Sequence, residues 1–462
     1  MSKVSNATSG VASAASSAKS VAANGIKNMK NGMKTLMTDA MSGNCYLIIV
    51  YLVSIIFLII FSYSFYLRRE FSKAARTRKK MRDIYDIDTG KFLQLKPLED
   101  ADYNTEGDYG DGTYYALIDY YIKSSYNSCC TGPAVNGWVD PEALKTVIRK
   151  GVRFLDFEIY LKKNKAVVAV QKTPYPETSE MAGCTNCKFK DSLNELDIVG
   201  VLDTVKLEAI QSAGCRNNTD PLILNFRILS ENDAVYDILA HAIKKTFRPY
   251  LMPANYGYCG KVVKSAKNDR SGLTGNGKDI FSNNVLYSDL KNLKQKVLIF
   301  ARGPHNDPTS YRRNRKFYEL MNGGAEDGVV LYKTDYTVKN STKSRTIDEH
   351  RNRYCITIPD ITTNNNSQAP LHMNYGCQAI TMNFGAGFND TSMEYYKKKF
   401  SDSQKAFILK PRNLRRRRVF AGKPTPPDPR LDPIQKRCIM DVPGYEGTID
   451  MGNIPMGASS CN

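Results

Sequence analysis

The run Cys45–Leu67 carries no charged residue and contains LIIVYLVSIIFLIIF. About 20 such residues span the hydrocarbon core of a bilayer. A buried core helix of a soluble protein is rarely apolar on all faces over such a length. It stands far from the N-terminus and no small-residue cleavage site follows it, which disfavours a secretory signal. We read it as a single transmembrane helix. Arg68, Arg69, Lys73, Arg76, Arg78, Lys79, Lys80 and Arg82 follow the run; only Lys27, Lys30 and Lys34 stand in the twenty residues before it. Positive charge stays on the cytoplasmic side. The C-terminal portion is therefore expected on the cytoplasmic or interior side, in contact with a lipid bilayer. A viral membrane is one setting that suits an anchored, Asn- and Lys-rich chain.

The chain has 462 residues and a formal net charge of +19. Such an excess favours anionic partners, either anionic phospholipid headgroups or nucleic acid. Much of it sits beside the apolar run and in Arg415–Arg418, and no aromatic-and-basic RNA-binding motif is present. Headgroups are the expected partner and nucleic acid is not. The eleven cysteines are scattered, unlike the dense framework of a small secreted domain. Cys184 and Cys187 form an isolated CxxC, which is read as a half zinc site, free thiols or a disulfide.

Composition shifts divide the chain. Residues 1–44 are Ser-, Ala- and Asn-rich, and 45–67 is the apolar run. Residues 68–112 form a basic juxtamembrane stretch and then an acidic linker at 97–112. A folded domain follows at 113–415, and 416–462 is a basic, Pro-rich tail. Within the domain, Val152–Tyr160, Ala166–Val170, Leu222–Phe226, Val297–Phe300, Val329–Tyr332 and Ala379–Phe384 read as strands. Pro141–Lys150 and Ala234–Thr246 read as helices. Strands alternating with amphipathic helices imply a parallel α/β sheet or barrel.

Several blocks then carry a resemblance. Ser124-Ser125-Tyr126-Asn127, ending in Thr131-Gly132, resembles the SSHNTYLTG segment of phosphoinositide-specific phospholipase C. Gly151–Glu158 (GVRFLDFE) is similar to GCRCVELDCW, and Pro221–Arg227 (PLILNFR) to PVILSLE. Leu293–Arg302 (LKQKVLIFAR) resembles the LKGKILIK strand, Gly376–Phe384 (GCQAITMNF) resembles GCQMVALNF, and Phe407–Pro411 with Leu414-Arg415 resembles YVLKP..LR. The blocks occur in family order. The resemblance implies a distorted TIM-type (β/α)8 barrel of the phospholipase C-like phosphodiesterase kind. Its X-like half falls at about 113–303 and its Y-like half at about 325–415, with the site at the C-terminal ends of the strands.

The family uses two histidines as acid and base, and calcium to offset phosphoryl charge. Carried over, the first histidine position holds Tyr126 and the second holds Gln171, or Lys172 if the loop shifts. The metal-ligand positions hold Asn127, Asp156, Glu158 and Arg227. Asp156 and Glu158 fall on one face of a strand. A guanidinium at Arg227 is expected to pair with them in place of a metal. No catalytic residues and no cofactor are therefore expected; Ca2+ would be needed if the chain were active. Arg302 and Lys172 are candidate substrate-binding cations, and Arg153 adds local positive charge. His241, His305, His350 and His372 fall at none of these positions, and His372 is read as an ordinary packing or surface histidine. The expected function is that of a membrane-anchored pseudoenzyme serving as a structural, scaffold or lipid-binding protein. The alternative is an active phosphoric diester hydrolase with altered catalytic residues.

Overall fold

The computed structural model describes residues 27–31, 43–85, 95–103, 115–171, 192–211, 215–260, 284–304, 307–325, 330–359, 366–386, 390–416, 435–441 and 448–455. Two compact units divide at Arg415. In chain order the first holds β1 (Tyr120–Ser125), β2 (Phe154–Lys162), β3 (Lys165–Gln171), β4 (Ser192–Asp197) and β5 (Leu222–Ile228). It continues with β6 (Val297–Arg302), β7 (Gly323–Gly324), β8 (Val330–Lys333), β9 (Tyr354–Thr357), β10 (Ala379–Met382) and β11 (Phe407–Leu409). Its helices include α1 (Gly43–Tyr85), α2 (Pro141–Arg149), α3 (Ile198–Val205), α4 (Ala234–Phe247), α5 (Lys343–Asn352), α6 (Ala369–Asn374) and α7 (Thr391–Ser403). The second unit contains one antiparallel hairpin, β12 (Gln435–Asp441) with β13 (Thr448–Pro455).

Eight strands pair in the order β7-β6-β5-β2-β1-β10-β9-β8, every neighbour parallel. Followed around the ring this is the chain order, and among the described residues the pairing is interrupted between β7 and β8. The result is a nearly closed TIM-type barrel. β3 and β4 extend β2 outward as antiparallel strands, and β11 pairs antiparallel with β1.

Strand alternation sorts the side chains into two cores. Phe154, Ile223, Leu298, Phe300, Tyr354, Ile356 and Ala379 fill the inside of the barrel. Leu155, Phe157, Leu224, Phe226, Ile299 and Ile380 face outward and pack under helices that include α2, α3 and α4. The interior changes character along the strands. Phe154 stands in register with Ile223 and Ile223 with Leu298; four residues further along, Glu158 stands in register with Arg227 and Arg227 with Arg302. The N-terminal half of the barrel is thus apolar, and its C-terminal half is charged.

Local signals explain the helix boundaries. Asp140 caps α2 by accepting from the Glu142 amide at 2.9 Å, and Pro141 takes the first helical position. Gly151 ends the turn at φ +78°, where a Cβ would also lie 2.8 Å from Leu95.

Several elements differ from the sequence expectation. β1, β7 and β9 did not read as strands: β1 (YYIKSS) is half polar because its Ser and Lys are held by internal partners, and the other two are short. The acidic stretch at 97–112 read as a linker, yet Leu95, Leu98 and Tyr103 plug the apolar end of the barrel, and Asp220 accepts the Leu98 amide at 2.8 Å. Finally, α1 does not stop at Leu67. It runs as one helix to Tyr85 and lies against the barrel, with Ala74 and Met81 buried. The Phe71 ring meets Trp138 edge-on at 5.7 Å, and Arg78 pairs with Asp140 at 2.7 Å. This is one helix long and apolar enough to cross a membrane.

Candidate functional site

The charged layer at the C-terminal end of the barrel gathers residues from β1, β2 and β5. Just after β1, Asn127 adopts φ +41°, a left-handed conformation that asparagine tolerates better than most residues. That turn aims its backbone N–H at Asp156 Oδ2, 3.1 Å away. Asp156 and Glu158 project inward from β2 by alternation, and Asn225 and Arg227 do the same from β5.

Arg227 occupies the centre. Its Nε lies 3.1 Å from both oxygens of Asp156, and its Nη2 lies 3.1 Å from Asp156 Oδ2 and 3.3 Å from Glu158 Oε2. The same Nη2 donates to Asn127 Oδ1. The Tyr126 ring covers the guanidinium, 4.4 Å from its centroid, a cation–π contact. Burial disfavours the charged guanidinium, but Asp156, Tyr126 and Glu158 outweigh it and hold its pKa well above the ordinary arginine value. Arg227 is therefore a permanent cation.

The surrounding donors complete the network. Asn225 Nδ2 donates to Asp156 Oδ1 at 2.8 Å, and the Tyr332 hydroxyl donates to Asn225 Oδ1 at 3.0 Å. Burial pushes the Tyr332 phenol up, so it stays protonated. Glu158 Oε1 accepts from the Tyr160 hydroxyl and from the Gln171 backbone N–H at 3.2 Å; Glu158 Oε2 accepts from Asn127 Nδ2 at 3.3 Å. Burial and then Glu158 raise the Tyr160 phenol well above its usual value. The cluster is closed to solvent: Tyr126 is 3% exposed, Asp156 1% and Arg227 3%. Tyr126 packs against Ala134, Ile358 and Tyr332, which seal it from above.

These residues do not fit calcium. Calcium takes six to eight oxygens at about 2.3–2.6 Å. Here each of the four carboxylate oxygens already accepts two or more hydrogen bonds, and the guanidinium fills the space the donors surround. No imidazole joins the cluster among the described residues. Among the described residues, His241 is exposed on α4, and His350 and His372 are buried on α5 and α6, outside the cluster. His305 lies outside the described residues.

The remaining candidates are scattered. Gln171 joins the cluster through its backbone N–H, not its side chain. Arg302 is half-buried and stacks on Tyr332 at 5.0 Å, at the edge of the network. Arg153 does not add charge to the site. Alternation turns it outward, where it donates to the Ala209 and Asp220 carbonyls at 3.0 and 2.7 Å. Lys172, Cys184 and Cys187 lie outside the described residues. Asn225, Tyr160 and Tyr332 were not singled out from sequence. The signal for Asn225 was present, since it shares a strand face with Arg227.

No family model matches the chain, and no curated protein does. Among solved structures it is similar to PLC21 from L. pealei, with a TM-score of 0.47 and 16% identity over 67% of this chain and 39% of that one. It is also similar to PLC21 from S. officinalis, with a TM-score of 0.48 and 16% identity over 69% of this chain and 40% of that one. A third similar structure is a calcium-dependent phosphoinositol-specific phospholipase C from a Gram-negative bacterium, Pseudomonas sp, with a TM-score of 0.36 and 10% identity over 63% of this chain and 94% of that one. The chain spans about two fifths of the length of the first two.

Proposed function

We propose that this chain is a membrane-anchored phospholipase C-like barrel that does not hydrolyse phosphodiesters and acts as a scaffold or anionic-lipid-binding protein. The observation that carries the reading is the Arg227 guanidinium, buried among Asn127, Asp156 and Glu158 where the resemblance puts a divalent cation. A fixed cation there repels calcium. A base for the attacking hydroxyl must exchange a proton near neutral pH, and Tyr126 is instead a buried ring stacked on the Arg227 guanidinium. Lipid contact falls to the outside of the molecule. Arg68, Arg69, Lys73, Arg76, Lys79, Lys80 and Arg82 are exposed along α1 just beyond its apolar part. Each such residue adds about 1 kcal/mol of attraction to an anionic leaflet. The charge asymmetry supports an orientation with the barrel on the cytoplasmic or interior side.

The test is turnover of phosphatidylinositol in mixed vesicles by the full chain, with and without calcium. No release of phosphorylated headgroup is expected under either condition. Calcium-dependent release that Tyr126→Phe abolishes would establish an active hydrolase with altered residues and overturn the proposal.

A further inference from the structure

Far from the charged cluster, at the N-terminal ends of β9 and β10, lie four buried side chains of a different chemistry. His350 sits in the last turn of α5, and Cys355 is the second residue of β9. His372 sits near the end of α6, and Cys377 precedes β10 by two residues. The two helix–strand units therefore present the same spacing, His-x4-Cys, side by side: β9 and β10 are paired neighbours. His350, Cys355, His372 and Cys377 are each 0% exposed. His350, Cys355 and Cys377 offer donor atoms that all lie within 4.8 Å of one another. His372 Nδ1 lies 3.7 Å from Cys377 Sγ, and His350 Nε2 lies 3.9 Å from the same sulfur.

We propose that Cys355, Cys377, His350 and His372 form a structural site for a zinc-like divalent metal that ties the last two units of the barrel together. Tetrahedral zinc with Zn–S of about 2.3 Å and Zn–N of about 2.0–2.1 Å places sulfur and nitrogen about 3.5 Å apart and the two sulfurs about 3.8 Å apart. The sulfur–nitrogen separations here are close to that figure. The two sulfurs lie 2.8 Å apart, so the metal requires a side-chain rotation of about 1 Å at Cys355. The hydrogen bonds behind each imidazole point the same way. His350 Nδ1 lies 2.8 Å from the Tyr375 carbonyl, and His372 Nε2 lies 2.7 Å from Asp335 Oδ1. The Tyr375 carbonyl and the Asp335 carboxylate can only accept, so His350 Nδ1 and His372 Nε2 donate to them, which leaves His350 Nε2 and His372 Nδ1 as the nitrogens available to a metal. Metal-bound histidines nearly always donate their other N–H to a carboxylate or carbonyl in this way. Binding would release the two thiol protons to solvent. His350, Cys355 and Cys377 already stand together, and His372, next to Cys377 but outside that set, has to move in as the fourth ligand; with it no position is left open, which makes the site structural and not catalytic.

The experiment uses the full chain, purified in detergent under reducing conditions, with metal content measured directly and zinc then exchanged for cobalt(II). About one metal per chain is expected. The cobalt form should show intense visible ligand-field bands and near-ultraviolet thiolate-to-metal charge transfer, the signature of tetrahedral thiolate ligation. A Cys184→Ser/Cys187→Ser variant should keep both the metal and the spectrum, while Cys377→Ser should lose them. If Cys377→Ser does not fold, the cobalt spectrum of the Cys184→Ser/Cys187→Ser variant decides alone. A chain without stoichiometric metal overturns the proposal, as does a metal lost with Cys184 and Cys187. So does a peptide map in which Cys355 and Cys377 are joined as a disulfide.

Discussion

Replacing Arg227 by methionine leaves Asp156 and Glu158 buried without their cation. Asp156 would keep Asn225 and the Asn127 amide, and Glu158 would keep Tyr160, Gln171 and Asn127. None of these donors carries a charge. Removing one partner of a buried ion pair costs about 3–5 kcal/mol. At about 2–4 °C per kcal/mol for a domain of this order of size, the apparent melting temperature should fall by roughly 10 °C. Arg227→Lys should cost less, because it keeps the charge and loses only the planar fork. Arg227→Glu is the informative variant: it adds a third carboxylate and removes the cation from the centre. Without calcium it should be the least stable of the three. A calcium concentration a hundredfold above its dissociation constant should return about 2.7 kcal/mol. Wild type should not respond to calcium at all. Trp138 is the only tryptophan of the chain, so the melts can be followed by its emission. The reasoning fails if Arg227→Met melts within about 2 °C of wild type, a shift smaller than the loss of any buried ion pair would cause. It fails equally if calcium stabilises the wild-type chain.

Two further outcomes follow from other parts of the molecule. Lys123 is buried with its Nζ donating to the Lys150 carbonyl at 2.8 Å, and burial, with Lys150 and Lys397 nearby, lowers its pKa to about 7. Between about pH 7 and the unfolded value of 10.5 the unfolded chain holds a proton that the folded chain has lost. Stability should therefore rise with pH there, by up to about 1.4 kcal/mol per unit. Lys410, lowered by burial to about 8, adds the same sign from its own pKa upward. Urea midpoints across this range should climb in wild type and climb less between pH 7 and 8 in Lys123→Met; a flat wild-type profile would contradict the assignment. Separately, Phe71→Ala removes the edge contact on Trp138. Emission should shift to the red with a stability loss of about 1 kcal/mol, and an unchanged spectrum would mean that α1 does not rest on the barrel in solution.

Much of the barrel was legible because its strands are apolar on both faces over their first half. Leu222–Phe226 and Val297–Phe300 pack inside and outside at once, and such runs stand out in a sequence. β1 did not stand out. Its Ser124 and Lys123 satisfy themselves internally, the Ser124 hydroxyl by donating to the Ile122 carbonyl and Lys123 by donating to the Lys150 carbonyl, so polarity masked a buried strand. Asn127, Asp156, Glu158 and Arg227 could be brought together on paper because alternation and family order fix their faces. Their closure to solvent could not, since it depends on Ala134 and Ile358, which sit far apart in the chain. The His350–Cys377 group escaped notice for a related reason. Its four members are ordinary residues until two helix–strand units lie side by side.

The unbroken course of α1 sets a direction as well as an attachment. With Cys45–Leu67 in hydrocarbon, the fourteen residues from there to Met81 make a stem of about 21 Å at 1.5 Å per residue. Phe71, low on that stem, meets Trp138 in the segment that follows β1, and Arg78, higher up, meets the start of α2. Both contacts lie at the end of the barrel where its strands finish. On the proposed anchoring, a rod without a hinge cannot swing that end away and holds it toward the bilayer at a set height.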